Sequence, residues 1–265
     1  MEYSLYSVTT KTNTHVGSGQ TNAGIVDNIV QRDLVSCRPT IQSSSLKGAL
    51  KEWLINGLGK QAEAETIFGV EDPNNNKQAT HYVFPAVLLS FPMRSNQYFY
   101  FNVTCPAIIT EFHKLLNTFG ISQLDTDLTA LAAINPAVKQ PVSLENKTDV
   151  IIEKHSIKTV GYSGTSYTPA VKKLFGDNAA IMHDDDFIAI TKRLPVITRN
   201  QLENGKSENL FYEEILPRET YFAFLLGYKK SEKVLFDTEI GANKIFQVGA
   251  NATVGYGFCE LTKNN

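Results

Sequence analysis

Ser43, Ser44 and Ser45 stand directly before Leu46-Lys47-Gly48, and Lys51 follows Lys47 at helical spacing. If a helix starts here, its unpaired N–H groups and the positive end of its dipole face whatever lies in front. Three hydroxyls and two ammonium groups would add donors and charge, a combination that suits a phosphate. Plain capping by the serines, with Lys47 on a solvated face, accounts for the same residues. A second candidate is the glycine-rich stretch from Gly249 to Cys259. Within it, Gly255-Tyr256-Gly257-Phe258 matches part of the aromatic strand motif of RNA-recognition sheets, although Val254 replaces the basic residue and Leu261 the last aromatic. Glycines in a tight turn, with Phe258 in the core, explain it equally well. Asp27 in Gly24-Ile25-Val26-Asp27-Asn28 reads, taken alone, as a turn residue, and the run Asp184-Asp185-Asp186 as a solvated turn. His15, His81, His113, His155 and His183 are scattered, and no catalytic dyad or triad stands out. Cys37, Cys105 and Cys259 are far apart with no metal-ligand spacing, which argues against a zinc knuckle and a disulfide framework.

The background is near neutral: 25 basic against 27 acidic residues in a chain of 265, a formal charge of −2. That excludes indiscriminate attraction to polyanions and leaves room for a local track. Between Asn28 and Lys60, Arg32, Arg38, Lys47, Lys51 and Lys60 outnumber Asp33 and Glu52; between Thr191 and Lys206, four basic residues face Glu203 alone. The 42% hydrophobic share is that of a globular chain with a substantial core. No basic segment followed by an apolar run opens the sequence, and the apolar stretch around Phe84–Phe91 is too short to span a bilayer. Thiol usage fits a reducing cytoplasm.

Positioning these residues requires a scaffold, and its outline is readable. Tyr3–Val8 is a strand, followed by a polar loop from Thr12 to Gly24. Leu46, Ala49, Leu50, Trp53, Leu54 and Leu58 mark a helix over Ser43–Leu58, and Gln61–Ile67 a second, short one. Tyr82–Phe91 and Gln97–Thr104 form a hairpin; Pro106 then opens a helix whose end is marked by Gly120. This strand-helix-hairpin-helix order opens a ferredoxin-like β-α-β-β-α-β unit of an α+β protein. Ile121–Asp185 is poorly periodic and reads as an insertion. Asp186–Ile197 reads as strand, Asn200–Leu210 as a loop or hairpin tip, Thr220–Tyr228 as a buried strand, and Ile245–Leu261 as two short strands around a turn.

Several pieces in order carry a resemblance: Thr14-His15-Val16-Gly17-Ser18-Gly19, Gly24-Ile25-Val26-Asp27, Gln31-Arg32-Asp33, Arg38-Pro39-Thr40-Ile41, Ser43 through Leu50, Phe68-Gly69, Asn209 through Glu214, and Val248 through Gly257. Together they resemble the RAMP superfamily, and within it the backbone, target-RNA-cleaving subunits of type III-B (Cmr) CRISPR effector complexes. The resemblance implies an RRM-like palm (residues 1–120 and 211–265), a lid-type insertion (about 121–186) and a thumb hairpin (about 191–210). It implies head-to-tail copies along a guide RNA, other Cmr subunits as partners, no membrane, and cleavage of complementary target RNA at regular intervals. The acidic residue this family needs in the early loop falls on Asp27, with His15, Tyr212 and Glu213 as secondary candidates. A divalent ion, Mg or Mn, would assist. RNA contacts would come from Gly17, Ser18, Gly19, Arg32, Ser43, Ser44, Ser45, Lys47, Lys51, Arg199, Gly249, Asn251, Gly255, Tyr256 and Gly257. A non-cleaving scaffold, a stand-alone guide-processing nuclease and an unrelated ferredoxin-like domain are the alternative readings.

Overall fold

A computed structural model of the chain describes residues 1–21, 26–70, 76–153, 157–158, 160–203, 206–232, 235–241 and 244–264. The first half contains β1 (Glu2–Thr10), β2 (Gly17–Thr21), β3 (Asn28–Val30), β4 (Thr40–Ile41), α1 (Ser43–Glu52), α2 (Gln61–Phe68), β5 (His81–Val83), β6 (Ala86–Arg94), β7 (Tyr100–Thr104), α3 (Pro106–Thr118) and α4 (Asp125–Ala132). The second half contains β8 (Val142–Ser143), β9 (Ile151–Ile152), β10 (Ile157–Lys158), β11 (Val160–Gly161), α5 (Pro169–Phe175), β12 (Ala179–Ile181), α6 (Asp184–Thr191), β13 (Val196–Glu203), β14 (Lys206–Glu214), β15 (Tyr221–Tyr228), α7 (Leu235–Ile240), β16 (Ile245–Gln247) and β17 (Phe258–Lys263). The fold is α+β.

β1 is buried from Ser4 onward because it is central. It pairs antiparallel with β15, from Glu2↔Tyr228 to Thr9↔Tyr221, and on its other side with β17, from Tyr6↔Lys263 to Thr10↔Cys259. The main sheet runs β11-β8-β12-β7-β6-β15-β1-β17-β16, with β4 added to β6 and β5 to β15. The late strand β15 thus lies between the opening strand and the β6–β7 hairpin. Leu46 and Leu50 of α1 and Ile108, Ile109, Phe112 and Leu116 of α3 are buried in the same core as the sheet residues. Pro106 occupies the first turn of α3, and Gly120 follows its end at a φ of 71°.

Four expectations need correction. Gly17–Thr21 lies within the expected polar loop, but it is a strand paired antiparallel to β3. Ser43–Ser45 do not cap α1: the cap position is Gln42, without a side-chain cap bond, and the serines sit inside the first turn. Asp184–Asp186 is no turn, and Asp186–Ile197 does not open as strand; the three aspartates form the acidic first turn of α6, where the helix dipole favours them. The expected insertion contributes strands to the main sheet. Its β12 lies parallel to β7, Ala179 opposite Asn102.

Candidate nucleic-acid interface

A separate four-stranded sheet, β13-β14-β3-β2, carries Gly17, Ser18, Gly19, Arg199, Tyr212 and Glu213 among the candidate residues. β13 and β14 form a long hairpin, with Val196 opposite Glu214 and Glu203 opposite Lys206. The sequence expected a loop or hairpin tip over Asn200–Leu210; residues 200–203 and 206–210 belong to the two strands at the far end of this hairpin. Gly205 lies outside the described residues, as do Gly24, Ile25 and His155.

At the root of the hairpin, β3 meets β14 in parallel, Asn28 opposite Glu213. Just before β3, the Asp27 N–H donates to the Tyr212 carbonyl at 3.1 Å, and the Tyr212 N–H donates to Asp27 Oδ2 at 2.8 Å. Asp27 itself is exposed. The backbone of Tyr212, rather than its phenol, therefore aims the carboxylate.

Beneath this lies a buried charged cluster. Glu213 is 3% exposed. Its Oε2 accepts from Arg199 Nη1 at 3.3 Å and from Asn251 Nδ2 at 3.0 Å, while Oε1 lies 3.7 Å from His15 Nε2. His15 is also buried; its Nδ1 donates to the Glu214 carbonyl at 2.7 Å. The Arg199 guanidinium carbon lies 5.7 Å from the Tyr256 ring centroid and 5.9 Å from that of Phe211, within reach of a cation–π attraction. His15, Glu213, Arg199, Asn251 and Tyr256 thus come together as expected. They do so as a clamp that ties the hairpin root to the early loop and the glycine-rich turn.

That turn is not the aromatic strand of an RNA-recognition sheet. Asn251 and Gly255 are left-handed, at φ 68° and 83°, around a 3₁₀ turn over Ala252–Val254, and Tyr256 precedes the strand. Gly249, at φ +86°, lies so close to the His15 carbonyl that a Cβ would overlap it, and the Ala250 N–H donates to that same carbonyl at 2.9 Å. A shallow groove of about 420 Å³ runs between this turn and α1, lined by Gly17, Ser44, Ser45, Gly48, Gln247 and Gly249, with Glu52 at one side. Ser18 and Gly19 continue along the outer strand β2. Ser43 lies in the first turn of α1 and Lys47 is half-buried on the same helix.

Other expected phosphate contacts are engaged inside the chain. Arg32 Nη2 pairs with Glu214 at 3.2 Å and Nη1 donates to the carbonyls of Cys37 and Thr191. Lys51 Nζ donates to the Gly69 carbonyl at 2.6 Å, closing the end of α2. Both residues carry folding roles that charge counting could not reveal. Gln31 was passed over as a site residue. It is buried, and its amide donates to the Gly17 carbonyl and Ser45 Oγ, while its Oε1 accepts from the Gln42 N–H. It joins the early loop to the start of α1. Glu214, the counter-ion of Arg32, also accepts from the Val30 N–H. Only its place beside Glu213 could have suggested it.

With this geometry in hand, the chain matches the RAMP superfamily over residues 7–260. The chain belongs to the RAMP superfamily. The Pyrococcus furiosus protein named CRISPR system Cmr endoribonuclease Cmr4 is 31% identical to this RAMP chain, over 99% of this chain and 96% of its own length. The crystal structure of oligomeric Cmr4 from Pyrococcus furiosus shares the fold at a TM-score of 0.73 and 25% identity, covering 100% and 98% of the two chains. A chain of the type III-B Cmr-beta complex bound to cognate target RNA superposes at a TM-score of 0.84 and 23% identity, covering 99% and 97%.

Among the described residues, no three His, Cys, Asp or Glu side chains converge in a way that could hold a metal ion. The donor set at Asp27, among the described residues, is one carboxylate with one oxygen already bonded, which does not fit a protein-held divalent ion. Any such ion would have to take most of its ligands from RNA. Among the described residues, no helix is long and apolar enough to cross a membrane.

Proposed function

We propose that this RAMP chain is the backbone subunit of a type III-B CRISPR effector complex. It binds guide RNA, associates with copies of itself and with other Cmr subunits in the cytoplasm, and cleaves complementary target RNA. The observation that carries the cleavage reading is the exposed Asp27 carboxylate, held by the Tyr212 N–H at the root of the β13–β14 hairpin. The groove between α1 and the glycine-rich turn supports guide binding through backbone amides and the Ser44 and Ser45 hydroxyls, contacts that position RNA without reading its sequence. The palm, lid and thumb reading assigns the hairpin to the thumb, which splays target RNA so that its 2′-hydroxyl lies in line with the adjacent phosphate. Asp27 Oδ1 takes the proton as O2′ bonds to phosphorus and the P–O5′ bond breaks. Products carry a 2′,3′-cyclic phosphate and a 5′-hydroxyl, the latter after the leaving oxygen takes a proton from solvent. General-base help of this kind contributes roughly 10²–10⁴-fold.

Asp27→Asn in the assembled complex is the test. Target cleavage should fall at least about 100-fold, with guide loading and target binding unchanged. A single 2′-deoxy substitution at the scissile nucleotide should block that cut alone. Normal cleavage by Asp27→Asn would make the aspartate a structural residue, and a wild-type complex that binds target without cutting it would make the subunit a scaffold.

A further inference from the structure

Two adjacent aliphatic residues, Leu34 and Val35, are each 95% exposed on the loop between β3 and β4. The loop is tightly pinned. Asp33 Oδ1 accepts from the N–H groups of Val35 and Ser36 and from the Ser36 hydroxyl, at 3.1, 2.7 and 2.8 Å. The Cys37 N–H donates to the Asp33 carbonyl at 2.9 Å, and the Asp33 N–H to the Arg38 carbonyl at 2.8 Å. These bonds present two apolar side chains to water on a preorganised loop. Leu and Val carry neither charge nor a ring to stack on a base, so the loop suits a protein partner rather than RNA.

A second exposed apolar feature lies at the β6–β7 hairpin tip. Phe99 is 96% exposed and Tyr98 37%, beside a groove of about 660 Å³ that Arg94, Tyr100 and Asn178 also line. This tip is also pinned: Ser95 Oγ accepts from the N–H groups of Gln97 and Tyr98 and donates to the Tyr98 carbonyl. The two features lie on different connections of the main sheet. β4 pairs with the start of β6, Thr40 opposite Val87, whereas the tip begins at Ser95. Val87 and Ser95 are thus roughly 25 Å apart along β6 at ~3.3 Å per residue. Each feature is flanked by an ion pair, and the more exposed member of the pair is of opposite sign at the two places. Glu111, paired with Arg38 beside the Leu34 loop, has a side chain 62% exposed; Arg94, paired with Glu153 beside the tip, has one 74% exposed.

We infer that the Leu34–Val35 loop of one copy seats on the Tyr98–Phe99 tip of the next. The contact joins two different patches at separated places on the molecule, so it does not close on itself and repeats from copy to copy. This inference rests on the proposed self-association and names the surfaces that produce it.

Cys37 is an exposed thiol next to the loop, while Cys105 and Cys259 are buried, with burial pushing each thiol up to about 12. Gln97→Cys places a second accessible thiol on the tip. With guide RNA and a short bismaleimide, Gln97→Cys should give a ladder of dimers, trimers and longer species, which Cys37→Ser in the same chain should reduce to dimers at most. The double variant Leu34→Asp/Val35→Asp, with its fold checked by circular dichroism, should self-associate at least tenfold more weakly in sedimentation. Wild type that assembles while the double variant assembles equally, with no ladder, overturns this inference alone. Wild type that stays monomeric with and without guide RNA overturns the self-association reading and this inference with it. A double variant that self-associates normally but no longer joins the other subunits makes the loop a contact to those subunits and overturns the copy-to-copy pairing.

Discussion

Asp27 and Glu213 sit on neighbouring backbone segments, yet their surroundings assign them different work. Asp27 is exposed and held through one oxygen. Glu213 is buried and its carboxylate is occupied by Arg199 and Asn251, so it acts on the site through them as a positioning residue. Glu213→Gln should therefore lower stability by about 2 kcal/mol, because Arg199 loses its counter-charge in a partly buried place. Asp27→Asn should change stability by less than about 0.5 kcal/mol. Chemical denaturation of the two variants beside their cleavage rates separates the roles; equal stability losses would erase the distinction. The nearness of His15, Tyr212 and Glu213 to Asp27 was implied by the resemblance, because all four lie in the motifs that carry it. Their burial was not, since it depends on how the glycine-rich turn folds over His15. His81 makes a related point. It is 3% exposed and bonded through Nδ1 to Thr80 Oγ1. Burial, opposed in part by the charges of Glu232 and Asp237, holds its pKa below the ordinary histidine value. The unfolded chain therefore binds that proton more readily, and stability should fall as pH drops below about 6.5. Between pH 7.5 and 5.5, wild type should lose more stability than His81→Gln in denaturant titrations, and equal losses would remove His81 as the cause.

At the scale of elements, sequence patterns succeeded where one face is buried against the core and misled where local charge or backbone pairing decides. The stripes of α1 and α3 and the run Thr220–Tyr228 were legible because burial fixes their periodicity. α6 was missed because three aspartates resemble a turn unless the helix dipole is considered. β2 was missed because Gly17, Ser18 and Gly19 have no strand propensity; pairing with β3 makes them a strand. The β13–β14 hairpin is polar through much of its length, with Glu208 to Leu210 exposed, and it packs little of itself into the core. Deleting Gln201 to Ser207 should leave a folded protein, as projecting tips tolerate change, while target cleavage loses its regular spacing. Gel analysis of the product ladder checks this, and an unaltered ladder would exclude the hairpin from setting the cuts. Gly249→Ala should behave oppositely. Its φ of +86° and the His15 carbonyl leave no room for a Cβ, so the turn must shift at a cost of about 1–3 kcal/mol. RNA binding should weaken even in conditions where the variant remains folded.

The whole molecule poses an electrostatic problem: a chain of net charge −2 must hold a polyanion. The structure sharpens this, because Arg32, Lys51 and Arg199, all read from sequence as phosphate contacts, are engaged with Glu214, the Gly69 carbonyl and Glu213. Each copy therefore brings few cations to its groove and relies on amides and hydroxyls around Gly17, Ser44, Ser45 and Gly249. Such contacts are individually weak, and affinity must come from many copies binding one RNA, each addition being favoured by the copy already in place. Two consequences can be measured together. A short RNA that reaches a single copy should bind weakly, with a salt slope near one neutralised phosphate, about −0.7 in log K against log salt. Lengthening the RNA to span several copies should raise affinity steeply and increase the slope in step with the number bound. Filter binding over a series of RNA lengths and salt concentrations reads both quantities. Tight, steeply salt-dependent binding of the shortest RNA would mean that one copy carries a basic track of its own. The internal ion pairs of Arg32 and Arg199 would then have to open on binding, and Glu214→Gln, which frees Arg32, should strengthen binding in that case and leave it unchanged if the pairs stay closed.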